Sequence, residues 1–387
     1  MFALTRNVLH GFQTIIKQTD WLLFGSAFLI SLAGLVTMSS FTGESIFVSR
    51  QIIWICLAIA AFFICSLIDF RFLRRTGIVV ALYSFVCFLL LLLFSLGHIT
   101  HGAQSWFNFG AFSFQPSDPA KIVLIFLLAK YFTRRHVEIA YIKHILISGL
   151  YALILFALVL VQPDFGSAIV IFLIWFGMVM VSGISKKHLA AVFCAGAISG
   201  ILLWTFVFHD YQKQRIITFI DPLADVRGAG YNAYQSMVAV GSGQILGKGI
   251  GYGTQSKLRF LPEYQTDFVF AAFAEEWGFV GAMILLGLFG VLIWRIISNA
   301  VRGATNFETL FGIGVTIVFM AHLIINIGMN IGLLPVTGIT VPFMSYGGSH
   351  LIVEFTALGI ITGMSKYSRP VHRGMAQNEI LGISDRS

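Results

Sequence analysis

Charge is what this sequence has least of. Asp, Glu, Lys and Arg make up 11% of its 387 residues. A soluble domain carries about 25%, so an ordinary water-soluble globule is excluded. Cysteine is scarce too. Cys56, Cys65, Cys87 and Cys194 all fall inside apolar runs, which removes a disulfide framework and a metal site built on thiolates. No concentrated basic face exists: the net charge of +8 is spread over short loops, so nucleic acid is not a partner. No small-residue cleavage pattern follows the first apolar run, which is therefore a retained span and not a signal peptide. Nucleotide fingerprints are missing as well. Gly241-x-Gly243 and Gly247-x-Gly249-x-Gly251-x-Gly253 fit neither a Walker nor a dinucleotide pattern, and no strand precedes them. They read as a tightly folded re-entrant loop.

Apolar residues are abundant instead, at 57%, with 38 Phe and a mean hydropathy of +0.87. About 20 mostly apolar residues cross a bilayer as a helix. Ten such runs are present, near 21–40, 51–68, 76–97, 117–133, 144–161, 166–183, 188–208, 269–295, 307–329 and 346–365. The expected fold class is an all-α polytopic membrane protein, a single domain over 1–387 without internal repeats. In residues 1–20, Phe2, Val8, Leu9, Phe12, Ile15 and Ile16 have helical spacing between Arg6 and Lys17, as in an amphipathic segment lying on the membrane. Residues 209–268 form a large loop between the seventh and eighth spans, and 366–387 form a tail.

Lys and Arg set the orientation. With the N-terminus inside, cytoplasmic segments hold sixteen of them and outer segments seven, six of the seven in the long loop. Both termini are then cytoplasmic and the 209–268 loop is extracytoplasmic. The polar clusters 102–106, 115–121, 162–166, 335–342 and 345–349 share the outer side with that loop, so chemistry belongs there. A structureless connection of such length is usually functional.

Several residues stand out at this boundary. Glu263 and Asp267 precede an apolar run directly, where an acidic group is costly unless used. Asp267 is placed to accept a proton as a partly desolvated carboxylate, or Thr266 or Asp267 caps the following helix. Asp164 follows Gln162-Pro163 at a helix start and reads first as a cap. Lys121 lies one turn into a span and needs a partner, either an anionic ligand or Asp118 or Asp164. Arg50, Lys248, Lys257 and Arg259 either form an anion site or meet lipid headgroups. Trp106 either stacks on a sugar or anchors at the interface. Glu354 is expected to pair inside the bundle with His350, one turn back.

Five strings carry a resemblance: QPSDPAK (115–121), QPDFG (162–166), DPLADVRGAGYNAYQSMVAVGSGQILGKG (221–249), GTQSKLRFLPEYQTDFVFA (253–271) and NIGMNIGLLPVTGITVPFMSYGGS (326–349). With the span count, the chain resembles the SEDS family (shape, elongation, division and sporulation), and its rod-shape branch more than its division branch. The resemblance implies a glycosyltransferase fold of ten membrane helices. It implies that lipid II, a polyprenyl-diphosphate-linked disaccharide peptide, is polymerised into peptidoglycan at the outer face of the bacterial cytoplasmic membrane. It also implies a class B penicillin-binding protein as partner within an elongation complex. Asp267 becomes the general base, and Lys121 and Arg50 become diphosphate contacts. Trp106, Glu263, Asp164 and Lys248 become substrate-site candidates. No metal cluster is evident, though a divalent cation shared by Asp267 and a diphosphate stays open. Two positions depart from the family pattern. Gln265 stands where a His is common, and Ser105 stands where relatives often carry Arg or Lys. A flippase for lipid-linked precursor and a non-catalytic scaffold are the competing functions. One-sided polarity and the lack of inverted halves weigh against the flippase.

Overall fold

The computed structural model describes residues 19–40, 45–96, 98–100, 103–108, 110, 113–134, 142–207, 213, 216–219, 229–258, 260–261 and 263–380. The amphipathic segment expected over residues 1–18, together with Arg215, Arg227 and Arg259, lies outside the described residues.

Ten helices of 17 residues or more dominate the described residues: α1 Trp21–Ser39, α2 Ser45–Leu67, α3 Thr76–Leu96, α4 Ser117–Thr133, α5 Ile142–Val161, α6 Phe165–Val181, α7 Lys186–Leu202, α9 Val269–Val301, α10 Asn306–Asn330 and α11 Gly348–Ile380. A bilayer interior offers no hydrogen bonds to peptide groups, so a chain this apolar satisfies its backbone within helices. Seven of the ten are long and apolar enough to cross a membrane by length and composition. The other three, α4, α6 and α11, stand where apolar runs were read. A shorter helix, α8 Ala229–Ser242, lies in the long loop.

The helix boundaries follow their chemistry. Asp20 caps α1 by accepting from Leu23 N, Asp164 caps α6 through Ser167 N, and Ser185 caps α7 through His188 N. Helix α2 begins six residues before the expected 51, because Arg50 interrupts the apolar window without interrupting the helix. Helix α11 likewise runs on to Ile380, past the expected start of the tail. One feature is not helical. Strands β1 His98–Thr100, β2 Ala103–Asn108 and β3 Ser113–Phe114 form a three-stranded antiparallel sheet between α3 and α4, with Phe107 opposite Phe114.

Helices α4 and α10 form the centre. α10 packs on α4, α6 and α9, and α11 lies along α2. Stacked rings of Phe126 and Phe311, 4.5 Å apart, lock α4 to α10. No residue of α7 is buried. At one end of the bundle Arg295 holds Asp20 at 2.5 Å, Asn299 adds a 2.7 Å bond, and Arg74 pairs with Glu308.

Helix α9 is broken at Gly278, whose φ of 66° and ψ of −166° lie outside the helical region. The break frees the carbonyls of Glu275 and Glu276 and the amides of Phe279 and Val280. The loop after α8 takes up all four. Lys248 N donates to Glu275 O and Gly249 N to Glu276 O, while Phe279 N donates to Gln244 O and Val280 N to Ile245 O, at 2.8–3.0 Å. Gly247 passes so close that a Cβ there would meet Glu276 O at 2.1 Å. The two glutamate side chains complete the seam. Glu275 Oε1 accepts from Lys248 Nζ at 2.7 Å and from Gln255 N at 3.1 Å. Glu276 accepts from Gly251 N and from Ser40 Oγ. The glycine-rich stretch is thus a loop inserted into a helix break.

Candidate functional site

A cavity of about 590 Å³ opens at the end of the bundle opposite the Asp20–Arg295 pair. Arg50, Trp106, Lys121, Asp164, Glu263 and Asp267 all line it, with Ser105, His322 and His350. Six of the seven residues expected in catalytic or substrate-site roles therefore converge across α2, the small sheet, α4, α6 and the segment before α9. Lys248 does not join them. Its ammonium is committed to Glu275 Oε1 in the seam at the α9 break, which argues against the substrate contact expected of it.

Asp267 sits in a turn, 263–268, fixed from both sides. Its own carbonyl accepts from Asn326 Nδ2 at 2.9 Å and from Asn330 Nδ2 at 3.2 Å, both on α10. Asn330 is steadied by Asn326 Oδ1 and by the Ser236 hydroxyl of α8. On the other side Tyr346 N donates to Gln265 O at 2.8 Å, and Ser345 Oγ donates to Thr266 O at 2.7 Å. The N-cap position of α9 falls on Phe268, which makes no capping bond. The Thr266 hydroxyl donates to Glu263 instead. Neither Thr266 nor Asp267 is therefore the cap, and the Asp267 side chain, part-exposed, faces the cavity. The polar residues Asn326 and Asn330, without an assigned role in the sequence, are the props of this turn.

Asp164 is a cap, and it also accepts from Gln115 Nε2 at 3.0 Å, tying the start of α6 to that of α4. Ser105 is buried and donates to Gln162 O. Lys121 is buried and bonds Asp118 Oδ1 at 3.1 Å, the internal pairing foreseen as one alternative. Its ammonium is 3.4 Å from His322 Nε2. Lysine only donates, so that nitrogen accepts, and Nδ1–H of His322 donates to Thr340 O at 3.3 Å. His322 is neutral in this arrangement.

The pair expected between Glu354 and His350 is present. His350 Nε2 lies 2.9 Å from Glu354 Oε1, an ion pair by distance though bent from hydrogen-bond geometry. Its other ring nitrogen, Nδ1, lies 3.2 Å from Asp118 Oδ1. Glu354 Oε2 in turn accepts from Phe343 N at 2.7 Å. Among the described residues no group of three His, Cys, Asp or Glu side chains gathers to hold a metal ion. A cation shared with a ligand phosphate would find Asp267 and Glu263 at the cavity wall.

Chemically, the cavity joins the part-exposed Asp267 carboxylate to one buried cation, Lys121, and one exposed cation, Arg50. It can take a proton from a neutral hydroxyl while holding an anionic group nearby.

Known proteins share this chain's sequence and shape. The model of a cell cycle protein family, which unites FtsW, RodA and SpoVE, matches residues 13–370. The chain is 38% identical over 297 residues to peptidoglycan glycosyltransferase MrdB of Escherichia coli, covering 76% of this chain and 79% of that one. It is 33% identical to stage V sporulation protein E of Bacillus subtilis, covering 85% and 89%. Among solved structures, a peptidoglycan synthase complex that coordinates polymerization and crosslinking contains a chain 30% identical, with a TM-score of 0.77, covering 90% of this chain and 98% of that one. The rod shape determining protein RodA of Thermus thermophilus is 29% identical, with a TM-score of 0.68, covering 90% and 96%. A family model that spans most of the chain, agreeing with relatives alike in both sequence and fold, makes this multi-pass membrane protein a member of the FtsW, RodA and SpoVE family, the same SEDS group that its motifs resemble.

Proposed function

We propose that this chain is a peptidoglycan glycosyltransferase that polymerises lipid II at the outer face of the bacterial cytoplasmic membrane during cell elongation. The observation that carries the reading is the convergence of Asp267, Lys121 and Arg50 on one cavity at one end of the bundle. Asp267 takes the proton from the sugar 4-hydroxyl of one lipid-linked molecule. The resulting oxygen attacks the anomeric carbon of a second, forming the glycosidic C–O bond. The bond from that carbon to the diphosphate oxygen breaks, and polyprenyl diphosphate leaves with the electron pair. Lys121 and Arg50 stabilise the charge that develops on it. Trp106 and Glu263 face the sugar portion, and Asp164 acts by holding two helix starts together. A divalent cation, if bound, would add charge neutralisation at the diphosphate.

Named relatives support this substrate class, since MrdB is a peptidoglycan glycosyltransferase. The synthase complex, whose name pairs polymerization with crosslinking, supports a class B penicillin-binding protein as partner. The excess of Lys and Arg in one set of loops supports cytoplasmic termini.

Fluorescent lipid II given to purified protein in detergent, with and without the penicillin-binding partner, tests the reading. Glycan ladders are expected. Asp267→Asn should lower their rate by at least about a hundredfold, the usual contribution of a general base, while the thermal melt stays unchanged. Lipid movement across vesicles without ladders would identify a flippase and overturn the proposal. So would full activity of the Asp267→Asn variant.

A further inference from the structure

Three charged side chains line the cavity together, Lys121, Asp118 and His350, and a fourth, Glu354, stands behind His350. All are largely buried, and Asp118 and Glu354 are each about 3% exposed. One oxygen, Asp118 Oδ1, lies 3.1 Å from the Lys121 ammonium and 3.2 Å from His350 Nδ1. The second ring nitrogen of His350 faces Glu354. A ring nitrogen 2.9–3.2 Å from an ionised carboxylate oxygen is favoured as N–H, since a lone pair there would face a negative charge, and with Asp118 at one nitrogen and Glu354 at the other the ring is held as an imidazolium. Two positive and two negative groups then balance. His322, stacked on His350 at 5.1 Å, stays neutral because Lys121 and Thr340 fix its tautomer.

This balance bears on Lys121. An ammonium has three N–H donors. Asp118 takes one and His322 another, and the third is available to a ligand in the cavity. Without the positive charge of His350, two carboxylates would face one ammonium, and the cavity there would repel an anion. We propose that His350 is a positioning residue which, held between Asp118 and Glu354, shares the Asp118 charge and so leaves Lys121 able to bind the diphosphate of a lipid-linked substrate. Glu354 adds a second connection. Its Oε2 holds Phe343 N in the 331–347 segment, which lines the cavity at Val336–Thr340. The inference rests on the glycosyltransferase reading for the identity of the ligand.

Charge compensation tests it. Farnesyl diphosphate and uncharged farnesol are titrated into full-length protein in detergent, and glycan ladders are scored in parallel. His350→Gln removes one positive charge and should weaken farnesyl diphosphate about tenfold, with farnesol unchanged. Glu354→Gln keeps an acceptor for Phe343 N, removes a negative charge and should tighten diphosphate binding several-fold. The double variant is again balanced and should return to within about twofold of the wild type. A merely structural role predicts the opposite, a double variant worse than either single one. That result, or equal diphosphate affinity in all four proteins, overturns the inference. If His350→Gln fails to fold, unchanged affinity in Glu354→Gln alone overturns it. Wild-type protein that binds diphosphate in this charge-dependent way but makes no ladders would instead defeat the glycosyltransferase reading and leave the charge device standing.

Discussion

Asp20 does two jobs. It caps α1 through Leu23 N and pairs with Arg295 through both oxygens. Burial pushes its carboxyl upward, but the bonds from Arg295 and Asn299 outweigh burial and hold it below its ordinary value of 3.8. A depressed folded value means that the charged form stabilises the native state. That contribution is present above the unfolded value and fades as pH falls through the folded one. Asp20→Asn keeps the cap and removes the ion pair. At pH 7 it should cost about 1–3 kcal/mol, seen as a lower melting temperature in detergent. The gap to wild type should narrow below about pH 4; a gap that is constant from pH 7 to 3 would show that the pair contributes nothing. Residue roles of this kind were only partly legible in the sequence. The caps at Asp164 and the partner of Lys121 could be read as alternatives, because both depend on near neighbours in the chain. The Glu275–Lys248 pair could not. Glu275 sits in a run apolar enough to be read as span, and its partner is 27 residues away in a loop with no periodicity.

Helix α9 shows what an element can hide. Its run of apolar residues reads as one continuous span from 269, and the end is the only boundary the eye looks for. The break at Gly278 leaves no trace in hydropathy, since one glycine within a long apolar helix is unremarkable by composition. Only the backbone reveals that four peptide groups are handed over to the 244–249 loop. Gly278→Ala is therefore a severe change. A Cβ there would lie 2.2 Å from Gly247 N, on a backbone with a φ that L-residues adopt at a cost of about 1–2 kcal/mol. The expected outcome is loss of well-folded protein, read as aggregation on size-exclusion chromatography in detergent. Gly287→Ala, in the same helix, places its Cβ in open space and should leave the melt within about 1 kcal/mol of wild type or slightly raise it. Equal behaviour of the two variants would refute the insertion of the loop into the break. The small sheet over 98–114 was missed for a related reason: strands of two to six residues in a short connection give too little alternation to read.

Across the whole molecule, the order of helices was the most legible feature, because about twenty apolar residues leave little choice of structure in lipid. Sidedness followed from a different quantity, the distribution of Lys and Arg. The two agree in a way neither requires. Alternating ten spans from an inner N-terminus puts Arg50, Trp106, Lys121, Asp164, Glu263 and Asp267 on the same outer side, and these are the residues that line one cavity. The basic residues Arg74 and Arg295, with their acidic partners, gather at the opposite end. An exported lipid-linked substrate can meet Asp267 only if this orientation holds in cells. Single cysteines in a cysteine-free background test it. Tyr252→Cys lies in the long loop at a residue 73% exposed, and Lys187→Cys lies at an exposed position in the first turn of α7. A membrane-impermeant maleimide added to intact spheroplasts should label position 252 and spare 187 until the membrane is broken. The reverse pattern would put the cavity on the cytoplasmic side, where the polymer could not be assembled outside the cell, and the assignment of Asp267 as the base of that reaction would fail with it.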